Sequence, residues 1–321
     1  MNQYLPEGLR FKQASNRDSI GSCAGLQQAM ELGQPLEARA VRCDADHNLW
    51  VELGGVLGMI PREETALGIR EGTTRDIAIL SRVGRPVTFV VESIERGDPP
   101  VARLSRRRVQ AQALSHLVKT LEPGMVIPAT VTHTEPFGAF VDIGAGIVSM
   151  IRIEQISVSR ISHPKERFLP GDPIYVVVTG VDKAANRIFL SHRELLGTWA
   201  ENADLFSQGE TVSGIVQGVR DYGSFVELTP NLSGLAEPSD GVSDGDFVSV
   251  YIKSISYDQC KVKLLIIDHV PPFARARPMQ YFITGGTLDH WVYRPKLGNR
   301  PAIETRFRQR TEPELSTENP V

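Results

Sequence analysis

A chain of 321 residues with 41% hydrophobic and 23% charged residues is ordinary soluble material, long enough for two to four small domains. Its net charge of −3 argues against a uniformly basic nucleic-acid binder and turns the question to where the charges sit. No run reaches the roughly 20 apolar residues needed to span a bilayer, and MNQYLPEGLRFKQ carries no apolar export segment, so the chain reads as cytoplasmic.

Cys23, Cys43 and Cys260 are odd in number and lack CxxC spacing, which argues against a disulfide framework or zinc site and for three reduced, buried thiols. Residues 1–33 read as an arm, irregular as far as 25, with a short helix at 26–32 that stops at Gly33. Residues 34–106 form a β-rich unit in which ADHNLWVELGGVLGMIP (45–61) sets His47 and Trp50 three positions apart. Asp44 and Asp46 stand just before His47, and a turn explains both carboxylates better than a metal does. In RLSRRRVQAQALSHLVKTL (103–121), Val109, Ala113, Leu117 and Leu121 recur at helical spacing, so 107–120 is expected to be a basic linker helix.

The next unit, 121–196, contains EPFGAFVDIGAGIVSMI (135–151), where Phe137 and Phe140 bracket a Gly-Ala pair. Three apart on an extended chain, two rings point to opposite faces, unless a kink or bulge at Gly138 turns them together. Strands are predicted near 125–133, 139–143, 147–153, 174–181 and 187–191, the last two joined by the turn DKAAN. Five short strands suit a small closed Greek-key barrel, with the OB-fold the natural candidate. The motif returns 85 residues on as RDYGSFVEL, with Tyr222 and Phe225 in the ring positions of a third unit, 207–269. The expected fold class is therefore all-β: tandem five-stranded OB-fold barrels joined by short linker helices.

Charge is uneven along this plan. Residues 121–193 balance seven acids with seven bases, 209–269 set nine acids against four bases, and 270–310 carry eight Lys/Arg against two acids. In the C-terminal extension, 270–321, MQYFI and DHWVYRP are strand-like, ITGGTLD (283–289) reads as a hairpin turn, and TEPELSTENPV reads as disordered. Adjacency and opposite charge favour packing of strands at 280–283 and 290–293 on the third unit, and because exposed ion pairs contribute little, burial of Phe282, Trp291 and Tyr293 must carry it. A free basic arm for RNA is the rival reading.

The second unit resembles the S-one RNA-binding domain family, named for the largest small-subunit ribosomal protein of bacteria. The resemblance is carried by Gly124, the Phe-Gly-Ala-Phe element, Gly171-Asp172, Val181-Asp182, Arg187-Ile188 and Leu190-Ser191, and it extends over about 31–269 as three tandem copies. It implies rings on the outer barrel face that stack on unpaired bases, beside a His, an Asp and an Arg. Stacking tolerates any base and contributes on the order of 1–3 kcal/mol per base.

Carried over position by position, the resemblance assigns Phe137, Phe140, Asp182 and Arg187 to RNA, with Arg152 where the family commonly has His. The third unit supplies Tyr222, Phe225 and Lys261, but Glu237 takes the His place. The first departs furthest, with His47, Trp50 and Pro61 at those positions, and structural or protein-docking roles suit it better than RNA. Arg106, Arg107 and Arg108 of the linker helix either touch RNA or lie in solvent.

The seven histidines have no Ser, Cys or carboxylate partner at a motif spacing. No catalytic residue, metal or cofactor is assigned. The expected function is non-catalytic binding of single-stranded RNA or messenger RNA in translation, with the small ribosomal subunit as partner. The alternatives are an accessory protein of RNA turnover or transcription and a protein-interaction scaffold with degenerate repeats.

Overall fold

The computed structural model describes residues 4–271 and 279–308. Three closed five-stranded barrels follow one another along the chain. The first comprises β1 (Leu36–Cys43), β2 (Leu49–Glu52), β3 (Leu57–Ile60), β4 (Pro86–Glu95) and β5 (Val101–Ser105). The second comprises β6 (Val126–Glu135), β7 (Gly138–Asp142), β8 (Val148–Arg152), β9 (Pro173–Asp182) and β10 (Arg187–Ser191). The third comprises β11 (Thr211–Arg220), β12 (Gly223–Thr229), β13 (Leu232–Ala236), β14 (Phe247–Ser256) and β15 (Lys261–His269).

Each barrel closes by pairing its fifth strand parallel to its third, through Leu57 with Val101, Leu190 with Ile151, and Leu235 with Lys263. The remaining ladders are antiparallel, as the OB-fold requires. Alternation drives the folding of the strands: Ile127, Ala129 and Val131 of β6 are buried, while the residues between them lean outward. The first strand of every barrel carries a register shift, at Ala40/Arg42, Val131/His133 and Val216/Gly218, just before the ring motif.

Helices fill the joints. α1 (Ala14–Ile20) and α2 (Cys23–Leu32) precede the first barrel, α3 (Ile77–Leu80) lies within it, α4 (Arg106–Thr120) links it to the second, and α5 (Trp199–Ala203) links the second to the third. Ser105 caps α4 by accepting from the Arg108 amide at 3.0 Å, and Val109, Ala113 and Leu117 form its buried stripe.

The structure corrects several expectations. Residues 4–25 are ordered rather than irregular, because Glu37 accepts from the Gly8 and Phe11 amides and Asn16 exchanges hydrogen bonds with the Glu37 backbone at 2.7 and 2.8 Å. Arg106 is buried and Arg107 half-buried, each on an acid of the first unit or the arm. Arg106 forks onto the Glu7 carboxylate at 2.7 and 2.9 Å and onto the Thr65 carbonyl at 3.1 Å, and Arg107 pairs with Glu64 at 3.0 Å. The Glu7 amide in turn donates to Asp142 at 2.7 Å, while Gln110 accepts from Leu67 and donates to Gly146, so α4 fastens the first barrel to the second. The cysteines are free but not buried: Cys23 is exposed, and Cys43 and Cys260 are half-buried.

The C-terminal extension docks, although differently from the expectation. β16 (His290–Arg294) pairs with β17 (Ile303–Arg306), whereas 280–283 lies outside any strand and Phe282 donates its amide to the Leu195 carbonyl at 2.9 Å. Trp291, Tyr293 and Phe307 are buried with Val216 and Leu228 of the third barrel and with Val177 of the second, so the hairpin fills the groove between the two. ITGGTLD forms no hairpin turn of its own: Thr287 bridges to Met125, and the Val126 amide donates to Gly286 at 3.0 Å.

Aromatic burial, not opposite charge, accounts for the docking. Among the described residues the extension's arginines pair with Glu122, Asp289 and Glu304, none of them an acid of 209–269. Arg275, Arg277, Arg310 and the segment 311–321 lie outside the described residues.

Candidate nucleic-acid interface

Phe137 and Phe140 reach one face because they do not share a strand. Phe137 sits in the β6–β7 turn and is 57% exposed, while Phe140 stands on β7, and their rings meet edge-to-face at 6.0 Å. Gly138 is required between them, since a Cβ there would fall against the Ile151 carbonyl of β8. Gly223 repeats the arrangement against the Ala236 carbonyl, and Tyr222 and Phe225 again lie edge-to-face, at 6.3 Å. The register shift at Val131/His133 brings His133 flat onto Phe140, with ring centroids 4.3 Å apart and planes 6° from parallel.

Below Phe140 opens a cleft of about 880 Å³ whose walls include Arg152, Arg187 and Phe189. Arg152 is two-thirds exposed, its nearest acid being Glu154 at 3.9 Å, and Arg187 is also exposed. The cleft thus joins π-faces to cations that have little prior engagement. Asp182 behaves differently: its carboxylate accepts from the Ala184 and Ala185 amides at 3.0 and 2.9 Å, so it holds the β9–β10 turn that presents Arg187.

Sequence reasoning missed His133, Phe189 and β17, the partner strand of the predicted strand at 290–293. Phe189 was within reach of the period-two rule, because Ile188 and Leu190 are core residues and the side chain between them must point outward. The place of His133 depends on a bulge and the seat of the hairpin on two folded barrels, neither of which leaves a local signal.

The other two barrels carry weaker versions of the face. Lys261 is exposed at the start of β15, and Glu237 is held by Lys253 at 2.5 Å, which offsets the anion on that side of the third barrel. In the first barrel Trp50 is already engaged: Arg42 lies over its ring at 4.5 Å and its indole donates to Asp44 at 2.9 Å. Asp44 also accepts from the Asp46 and Asn48 amides, as the turn reading expects, and these bonds, the indole's first, hold its carboxyl below the usual range. Among the described residues no cluster of three His, Cys, Asp or Glu is placed to hold a metal ion, and no helix is long and apolar enough to cross a membrane.

Residues 120–193 match the S1 RNA binding domain family. Over 251 residues the chain is 30% identical to the small ribosomal subunit protein bS1 of Leuconostoc lactis, covering 72% of this chain and 56% of that protein. It is also 30% identical over 255 residues to the bS1 homolog of Bacillus subtilis (strain 168), covering 74% and 64% respectively. The bS1 protein of Rhizobium meliloti (strain 1021) is again 30% identical, over 238 residues, with 40% of its length covered. The chain therefore spans between 40% and 64% of these three relatives.

Proposed function

Residues 120–193 form an S1 RNA binding domain, and from it we propose that the chain binds single-stranded RNA, including messenger RNA, in translation on the small ribosomal subunit. The observation that carries the reading is the exposed Phe137 ring set edge-to-face on the half-buried Phe140, which lines a cleft together with Arg152 and Arg187. Rings of this kind stack on any base, and guanidiniums meet the phosphates between stacked bases, which gives affinity without strict sequence preference.

No reaction is assigned to the chain. Asp182 is spent on a turn, and His192 is buried between the Ile156 carbonyl and the Tyr281 hydroxyl, at 2.7 and 2.9 Å. On this reading the protein acts in the cytoplasm. The test is cosedimentation: the purified chain should travel with small ribosomal subunits and be displaced by excess single-stranded RNA. A chain that binds the RNA but not the subunit would remove the translation assignment and leave RNA binding.

A further inference from the structure

The barrel-two cleft has a wall that no barrel supplies. Thr305 and Arg306 of β17 line it together with Phe140 and Phe189, although they lie more than a hundred residues beyond the barrel in sequence. That wall is fixed in place. Thr305 donates to the fully buried Glu194 carboxylate at 2.7 Å, Arg193 reaches both Glu194 and Thr305, and Trp291, paired across the hairpin with Thr305, is buried in the groove between barrels. The side chain of Arg306 is 69% exposed, and its nearest acid, Glu304, lies 3.4 Å away and is already held by His290 at 2.6 Å.

We propose that the β16–β17 hairpin forms the second wall of this cleft, and that Arg306 holds a backbone phosphate of a single-stranded RNA whose bases stack on Phe140 and Phe189. This rests on the RNA reading above and adds to it the element that turns an open barrel face into a groove. Charge favours a polyanion with stackable faces: Arg152, Arg187 and Arg306 ring the cleft, while its rim acid Glu304 is paired twice. Phe189, 46% exposed beside Gly180, adds a third platform to the two in the ring motif. Two stacking platforms and a further cation within one cleft engage more of a strand than the Phe137/Phe140 pair does alone.

The test is fluorescence anisotropy with a labelled oligouridine of about 12 nucleotides, within the range of OB-fold site sizes, titrated with the full chain at several salt concentrations. Arg306→Ala should bind more weakly at low salt, with a dependence on log salt shallower by about 0.7, as for one lost single-strand phosphate contact. Arg306→Lys should keep the wild-type slope, and both variants should melt with the wild type because the side chain is exposed. If Arg306→Ala matches wild type in affinity and slope while Phe137→Ala/Phe140→Ala loses binding, the wall is wrong and the RNA reading stands. If the wild-type chain does not bind the oligonucleotide, both are overturned.

Discussion

At the scale of single residues, the interface is set by two backbone events, the Gly138 contact with β8 and the bulge before His133. Each re-aims a ring that regular strand geometry would send elsewhere. On the proposed reading, Arg152 and Arg187 act as charges rather than base readers. Arg152→Ala and Arg187→Ala should each weaken oligouridine binding and flatten its salt dependence by about 0.7, with no change in preference among homopolymers. Altered base preference at constant slope would mean that they read bases.

Much of this residue-level picture was legible in the sequence. The Phe-Gly-Ala-Phe motif singles out Phe137 and Phe140, the end of the repeat singles out Arg187, and alternation along RIFLS leaves Phe189 outward, a signal that sequence reasoning passed over. The part that was not legible is what each polar group is already doing. Arg106 and Arg108 look alike in the string RRR, yet one is buried on Glu7 and the other is exposed, because Glu7 arrives from about a hundred residues away.

At the scale of elements, buried polar side chains tie the joints between barrels. Asn231, fully buried at the start of β13, accepts from the Val158 amide and donates to the Arg193 and Gly197 carbonyls, at 2.8–2.9 Å. Asn231→Ala should cost about 1–3 kcal/mol for each group left unpaired, measured by urea unfolding of the full chain. A loss under about 0.5 kcal/mol, typical of a surface site, would show that the seam does not depend on it.

His192 sits in the same seam, and burial depresses its pKa to about 4. The unfolded chain takes up a proton near pH 6.5 that the folded chain refuses, so this group's contribution is full above about 6.5 and falls as pH drops toward 4. Asp142 and Glu37, both raised to about 7 chiefly by burial, act in the opposite sense over much of that range. The comparison that isolates the histidine is wild type against His192→Gln. Their stability difference should shrink by about 2 kcal/mol between pH 6.5 and 4.5, and a constant difference would show that His192 titrates normally.

At the scale of the whole molecule, three barrels of one topology serve different ends. The second carries the open ring-and-arginine cleft, the first has Trp50 covered by Arg42, and the groove between the second and third is filled by the C-terminal hairpin. Docking of the extension was foreseen from its aromatics, but its seat was not. Trp291 and Tyr293 signal burial by being apolar, whereas a seat shared by two barrels exists only after both have formed. Truncation after His269 should lower the melting temperature, since burying each of Trp291, Tyr293 and Phe307 contributes about 1.5–3 kcal/mol. Unchanged melting would mean that the hairpin rests on the barrels without supporting them.

The most direct test of the account is the affinity of the folded chain for a single-stranded oligouridine before and after the ring pair is removed. Each stacked base contributes about 1–3 kcal/mol, so Phe137→Ala/Phe140→Ala should weaken binding by at least tenfold while the circular dichroism spectrum and melting temperature stay those of wild type. Wild-type affinity in a folded double variant would contradict the assignment of these rings to RNA.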